Sequence, residues 1–234
     1  MQIPSTAVAE IMGQAGYDWV AVDLEHAGFS IETLPDIFRA LELGGTCPFA
    51  RIAQCHPKDI KQALDAGARG LIIPMIEDRK QLENAINWTY YPPMGVRGVG
   101  YSRANLYGKD FSSYTQNESR NIVIAAQIEH VHAVNNLDAI LSVDGLDTIM
   151  VGPYDLSGSM NLTAQFEHPD FLKVMDTIFQ KAKTYGVPMG LHIVQPDPDL
   201  LRSKIDEGYQ FIAYGIDAVF LYRSAERPIL ARSS

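Results

Sequence analysis

Residues Asp65–Pro74 read Asp-Ala-Gly-Ala-Arg-Gly-Leu-Ile-Ile-Pro. A helical pattern over Pro57–Ala66 stops there at a glycine, Gly67, and a short apolar run, Gly70–Pro74 (GLIIP), follows at once. A helix that ends at a C′ glycine and turns straight into a strand is a tight αβ connection. The run is continuously apolar rather than alternating. Strands covered on both faces of a parallel sheet read this way.

The same unit recurs in both directions. Strand-like runs occupy Asp18–Asp23 (DWVAVD), Pro48–Ile52 (PFARI), Ile122–Glu129 (IVIAAQIE), Asp147–Gly152 (DTIMVG), Val187–Ile193 (VPMGLHI) and Gln210–Gly215 (QFIAYG). Three- and four-residue apolar spacing predicts helices over Ser5–Gln14, Ile31–Leu43, Pro57–Ala66, Asp78–Trp88, His130–Leu141, Pro169–Tyr185, Asp197–Glu207 and Ile216–Ala231. Pro57 and Pro169 sit at helix starts, and Gly16, Gly44, Gly67, Gly186 and Gly208 follow helix ends.

Seven strands are complete, and Met1–Ile3 reads as the remnant of an eighth. Alternation of this kind predicts one α/β domain over residues 1–234, a (β/α)8 TIM barrel with a shortened first strand. An open doubly wound sheet is the alternative, and the first strand is followed by no G-x-G-x-x-G. The long segment Pro92–Ser119, rich in Gly, Arg and Tyr, is expected to pack near the barrel mouth.

Composition narrows the function classes. A net charge of −9 without a basic run disfavours nucleic acid as a partner. No apolar stretch reaches the roughly 18–20 residues of a membrane span. Two cysteines, Cys47 and Cys55, make no disulfide framework and suit a cytoplasmic protein with reduced thiols.

Barrel active sites are built at the C-terminal ends of the strands. The polar residues there are Asp23, Glu25 and His26, then Arg51, then Gln127, Glu129 and His130, then Tyr154 and Asp155, then His192, then Asp217. Acids, an arginine and histidines gathered on one face exceed what a core needs. Each taken singly is an N-cap, a salt-bridge partner or a satisfied polar residue. Glu129 and Asp155 end adjacent strands, about 4.8 Å apart, so both carboxylates can reach one hard cation such as Mg²⁺. All eight lysines (58, 61, 80, 109, 173, 181, 183 and 204) fall in predicted helices or in the long loop. A Schiff-base mechanism needs a lysine at a strand end, so metal-stabilised carbanion chemistry fits better. There is no G-x-S-x-G elbow and no P-loop; Ser157 and Ser159 read as caps of the next helix.

The stretches Gly16–His26 (GYDWVAVDLEH), Asp65–Met75 (DAGARGLIIPM), Tyr91–Gly100 (YPPMGVRGVG), Gln127–Glu129 (QIE) and Val151–Ser157 (VGPYDLS) together give the chain a family likeness. It closely resembles the class II, metal-dependent pyruvate aldolases of the HpcH/HpaI family, over nearly its whole length. The resemblance implies a (β/α)8 barrel that cleaves 4-hydroxy-2-oxo acids to pyruvate and an aldehyde with Mg²⁺ or Mn²⁺, and Co²⁺ as a further candidate. It implies Glu129 and Asp155 as metal ligands, His26 paired with Asp23 as the base, and Arg51 at the enolate oxygen. Gln127 and the amides at Tyr154 and Asp155 are implied as pyruvate contacts, and Asp65 as an acid reaching a neighbouring subunit's histidine. A homo-trimer or homo-hexamer with its last helix exchanged between subunits is implied as well.

Two departures stand out. The family opens with a complete strand before the Pro4-Ser5 pair, and Tyr154 replaces the smaller residue common in G-P-x-D. A tyrosine there is expected to alter substrate choice, with Arg97, Arg103 and Tyr101 further candidates for the aldehyde side. Two other functions compete: an oxaloacetate-type decarboxylase on the same site, which needs no base for a C4 hydroxyl, and a non-catalytic metabolite-binding relative.

Overall fold

A computed structural model of the chain describes residues 1–225. Seven parallel strands form one sheet in sequence order: β1 (Trp19–Asp23), β2 (Cys47–Arg51), β3 (Gly70–Ile73), β4 (Val123–Ile128), β5 (Thr148–Val151), β6 (Met189–Ile193) and β7 (Phe211–Tyr214). The helices are α1 (Thr6–Gly13), α2 (Leu34–Leu43), α3 (Pro57–Ala66), α4 (Arg79–Thr89), α5 (Phe111–Gln116), α6 (Val131–Asn135), α7 (Leu137–Leu141), α8 (Pro153–Ser159), α9 (Pro169–Tyr185), α10 (Pro198–Glu207) and α11 (Asp217–Ser224). The order is that of a TIM-like barrel. None of these helices is long and apolar enough to cross a membrane.

Local chemistry sets the ends. His56 and His168 stand before Pro57 and Pro169, and each turns its Nδ1 to accept an amide of the first turn, from Lys58 and Asp170. At the far end of α3 the chain turns at Gly67, whose φ of +114° suits a residue without Cβ. The helix expected over His130–Leu141 breaks in two at Asn136. The one expected over Ile216–Ala231 is seen as α11, and its last six residues lie outside the described part of the chain. Ser157 and Ser159 are not caps. Pro153 starts α8 before them, and their hydroxyls donate back to the carbonyls of Tyr154 and Leu156.

The pleat sorts residues by depth, since alternate side chains face opposite sides. Val22, Ala50, Leu71, Ile124, Ile149 and Ile212 face outward into the main core under the helices. Fully burying each of its larger members contributes about 1.5–3 kcal/mol. The inward faces stack in layers. At the N-terminal end Trp19 stacks on Phe49 at 5.2 Å and on Phe211 at 4.5 Å. Ala21, Ile72, Ala125, Met150 and Ala213 lie above them. Next along the same faces come Asp23, Arg51, Gln127 and His192. A polar layer at this one end is what makes a site rather than a core.

The two outer strands, β1 and β7, are not paired with each other, yet their rings touch through Trp19 and Phe211. The sheet is therefore curled on itself. Met1 lies along β1: its nitrogen donates to the Ala21 carbonyl at 2.6 Å, and its carbonyl accepts from the Asp23 amide at 3.0 Å. Gln2 and Ile3 donate their amides to the two carboxylate oxygens of Asp217, just past β7, at 2.7 and 2.9 Å. Residues 1–3 thus bridge the edges of the sheet without forming a strand.

The segment Pro92–Ser119 does not reach the barrel mouth. It connects the end of α4 to the start of β4, so it lies at the N-terminal end of the sheet. Arg97, with a fully buried side chain, sits 4.6 Å from the Tyr91 ring and pairs with Asp65 at 2.6 Å. Arg103 pairs with Glu42 and reaches the Ala66 carbonyl at 3.5 Å.

A Cβ on Gly70 would meet the Phe49 ring at 2.4 Å. Gly70→Ala is expected to lower stability by about 1–3 kcal/mol, the usual cost of overpacking. An unchanged urea midpoint would contradict this aromatic floor.

Candidate active site

The site grows out of the ends of β1, β2, β4 and β5. Asp23 closes β1 and is 5% exposed. Its carboxylate accepts the amides of Glu25 and His26 at 3.1 and 3.2 Å, which folds the chain over the strand end as an Asx turn. The same carboxylate takes Arg51 Nε at 3.0 Å and Nη2 at 2.7 Å, and Gln2 Nε2 at 3.0 Å. Burial works to raise the Asp23 carboxyl. The bonds from Arg51, Gln2 and the His26 amide outweigh it and hold the group down at about 2.

Arg51 is held in turn. Burial opposes its charge, and Asp23 more than restores it. Its Nε also lies 3.4 Å from Glu25 Oε2. That oxygen is buried and makes no hydrogen bond. Burial also pushes the Glu25 carboxyl up; Arg51 counteracts this and Glu129 adds to it.

Glu129, just beyond β4, is 3% exposed. The Met75 amide donates to its Oε1 at 2.7 Å, and Gln127 Nε2 donates to its Oε2. Met75 stands at φ +52°, a left-handed backbone that is sparse for a side chain of this kind and is kept where its amide meets the acid. Burial pushes the Glu129 carboxyl up, the Met75 and Gln127 bonds pull it down, and the negative charge of Asp155 adds to the rise. Gln127 Oε1 is buried without a partner. Gly152 makes the room: a Cβ there would fall 2.6 Å from Glu129 Oε2. Asp155 lies in the first turn of α8, exposed, and its carboxylate makes no hydrogen bond or ion pair among the described residues.

A cavity of about 340 Å³ runs along the seam between β1 and β7 and reaches the strand ends, where Asp23, His26, Arg51, Tyr154, Asp155 and His192 line it. Tyr154 is 55% exposed and meets Phe166 edge-on at 5.0 Å. His192 had no assigned role in the sequence. The Met189–Ile193 alternation puts it on the inward face with Gly190, and that pattern was the available signal. Its Nε2 lies 3.2 Å from the Gly215 carbonyl, burial lowers its pKa, and the ring forms part of the cavity wall. Gln2 and Glu25 are likewise site neighbours that the strand-end reading left without a part.

Two expectations for individual residues differ from this geometry. Asp23 does not hold the His26 imidazole, because its oxygens are occupied by Arg51, Gln2 and backbone amides. The imidazole is largely exposed and lies 3.7 Å from Glu25 Oε2. Asp65, expected to meet a neighbouring subunit's histidine, lies in the last turn of α3, at the opposite end of the sheet from Glu129, and pairs within the chain with Arg97. Arg97, Arg103 and Tyr101 line no part of the cavity, because their segment packs at that same far end. Asp23, Arg51, Gln127, Glu129, Tyr154 and Asp155 do converge.

A curled parallel sheet with carboxylates, an arginine and a histidine at its C-terminal end has the layout of a TIM-like enzyme site. The chain belongs to the HpcH/HpaI aldolase/citrate lyase family, whose pattern matches residues 2–224. A relative from Escherichia coli named 5-keto-4-deoxy-D-glucarate aldolase is 37% identical over 221 residues, covering 94% of this chain and 85% of the relative. The crystal structure of an HpcH/HpaI aldolase/citrate lyase family protein from Burkholderia cenocepacia superposes with a TM-score of 0.89 at 31% identity, over 96% of this chain and 89% of that one. Macrophomate synthase superposes with a TM-score of 0.83 at 28% identity, over 94% of this chain and 78% of that one.

Because Asp23 is held down at about 2, its contribution to stability is complete above its ordinary pKa near 4. That contribution is lost as pH falls from about 4 towards 2. Asp23→Asn is expected to lower stability at neutral pH by about 2–3 kcal/mol and to flatten the decline across that acid window. Urea titrations at a series of pH values measure both. An equally steep decline in the variant would remove Asp23 as its source.

Proposed function

We propose that this chain is a metal-dependent carbon–carbon lyase that cleaves a 4-hydroxy-2-oxo acid to pyruvate and an aldehyde, reversibly. One observation carries the reading. Three carboxylates, of Asp23, Glu25 and Glu129, act on a single guanidinium, that of Arg51, and the charge of Asp155 adds to that of Glu129. Such an excess of negative charge, with Asp23 and Glu129 buried, calls for a further cation. The donor set fits one. Glu129 and Asp155 offer hard oxygens, and Gln127 Oε1 is a buried acceptor with no partner. Mg²⁺, Mn²⁺ and Co²⁺ all suit oxygen donors of this kind.

When bound, the divalent cation supplies Lewis-acid stabilisation of the negative charge that develops on the 2-oxo oxygen. Arg51, fixed by Asp23, adds a preorganised positive charge beside it. The unpaired first-turn amides of Tyr154 and Asp155, with Gln127, receive the substrate carboxylate. His26 takes the proton of the C4 hydroxyl. The C3–C4 bond breaks, its electron pair becomes the pyruvate enolate, and protonation at C3 completes pyruvate. Tyr154, on the cavity wall, selects among aldehydes. The name of the E. coli relative supports a sugar-acid-derived substrate.

In the complete assembly, Met1–Ile3 serves as the eighth stave of the barrel, and the protein is a cytoplasmic homo-trimer or homo-hexamer. The bridge from Met1 to Asp217 supports the first point and the free thiols of Cys47 and Cys55 support the compartment. The last helix is exchanged between subunits, and Asp65 acts on a neighbouring subunit's histidine.

Glu129→Gln is expected to abolish metal-dependent cleavage, and Gly152→Ala to weaken cation affinity about 10–100-fold by displacing Glu129. Full turnover by Glu129→Gln in chelator would end the proposal. A second reading, decarboxylation of oxaloacetate, rests on the same charge arrangement and on the exposed, loosely held His26. His26→Ala is expected to lose aldol cleavage and keep decarboxylation. Loss of both in a folded variant would leave the base with a wider role.

A further inference from the structure

A second group of ligands lies just outside this site and takes no part in the lyase chemistry. Glu77 follows β3, two residues beyond Met75. His130 and His132 begin α6, directly after Glu129 on the neighbouring strand. Glu77 Oε2 lies 3.1 Å from His132 Nδ1, and Glu77 Oε1 lies 3.9 Å from His130 Nδ1. The two imidazole rings stand edge to face at 4.4 Å. One ligand atom from each of the three residues falls within 4.8 Å of the others.

These separations have a meaning for coordination. Metal–ligand bonds of about 2.0–2.1 Å in a tetrahedron place neighbouring donor atoms roughly 3.3 Å apart. Each histidine meets a different Glu77 oxygen, at 3.1 and 3.9 Å, on either side of that edge length, and a small turn of the carboxylate brings one oxygen to both. Glu77 is also positioned from behind. Its amide donates to Gln81 Oε1 at 2.7 Å, and its carbonyl accepts Asn136 Nδ2 at 2.9 Å. Its backbone is thus pinned on both sides while its carboxylate points at the histidines. His130 Nδ1 lies 3.2 Å from the His132 amide, and the same nitrogen faces Glu77. An ion would replace that capping bond. Side-chain exposure grades from 28% for Glu77 and His130 to 65% for His132, which leaves the remaining coordination positions open to water.

We propose that Glu77, His130 and His132 form a second metal site, selective for a borderline transition ion such as Zn²⁺, Ni²⁺ or Cu²⁺. Two imidazoles and one carboxylate favour such ions over Mg²⁺, which prefers oxygen alone. The chain then carries two chemically distinct ion sites at one end of its sheet: an all-oxygen site at Glu129 and Asp155, and a nitrogen-rich site one loop away. The second ion ties the segment after β3 to the segment after β4, on either side of the Met75–Glu129 hydrogen bond. It is bound whether or not the first site works as proposed.

The test uses full-length, tag-free protein saturated with Mg²⁺. Zn²⁺ is titrated by calorimetry, and Cu²⁺ is added for electron paramagnetic resonance. The expected results are about one Zn²⁺ per chain and a Cu²⁺ spectrum split by two imidazole nitrogens. His132→Asn and Glu77→Gln, each checked for a native circular dichroism spectrum, are expected to weaken Zn²⁺ about tenfold or more. Glu129→Gln is expected to leave Zn²⁺ binding intact. Both surface variants change half-exposed or exposed side chains, so either one serves if the other fails to fold. Zn²⁺ binding that disappears in Glu129→Gln and persists in His132→Asn would overturn the proposal. So would Mg²⁺-saturated protein that takes up no Zn²⁺.

Discussion

The structure turns on the pairing of Asp23 with Arg51 across the ends of β1 and β2. That contact closes the strand ends, shapes the Leu24–His26 turn through the same carboxylate, and fixes the only guanidinium that the surrounding acids share among the described residues. Breaking a buried pair of this kind strands a charge, which costs more than the pair contributes. Around it the acids exceed the bases. Burial raises the Glu25 and Glu129 carboxyls, and the neighbouring acids add to the rise. A divalent cation would relieve the imbalance without a change of pH, which ties the fold of the strand ends to the proposed lyase chemistry.

Depth within the barrel follows from period-two alternation. Aromatic rings stack at the N-terminal end, small and apolar side chains fill the middle, and polar ones gather at the C-terminal end. The middle layer separates the charged end from the aromatic floor. It keeps the electrostatics of the site in a water-poor setting, where a fixed guanidinium acts more strongly than in solvent. Gly152 and Met75 show how local backbone serves this layer. One omits a Cβ beside Glu129, and the other holds an uncommon φ so that its amide reaches the same acid.

Strand order, helix limits and the converging residues were legible in the sequence because they depend on near-neighbour patterns. Continuous apolar runs marked the strands, and Pro57, Pro169 and Gly67 marked helix ends within a residue. The family resemblance, carried by D-x-E-H, Q-I-E and G-P-x-D-L-S, supplied roles that spacing alone left open. What was not legible depends on direction in three dimensions. Asp23 is adjacent to His26 in sequence, but its oxygens are taken by Arg51 and by amides. The segment after α4 holds arginines and tyrosines fit for a site, yet an αβ connection emerges at the wrong end of the sheet. Its partners, Asp65 and Glu42, are set by that topology. His192 was recoverable from strand parity, which places it on the same face as Gly190.

The most direct measurement is hydrogen exchange at the pyruvate methyl group. The protein is incubated with pyruvate in D₂O, with Mg²⁺, with Mn²⁺ and with chelator, and the methyl proton signal is followed by NMR. A site that forms the enolate will erase that signal only when the metal is present, whatever the aldehyde partner is. A persistent methyl signal with every metal, from folded protein, would contradict enolate formation at Arg51, Glu129 and Asp155.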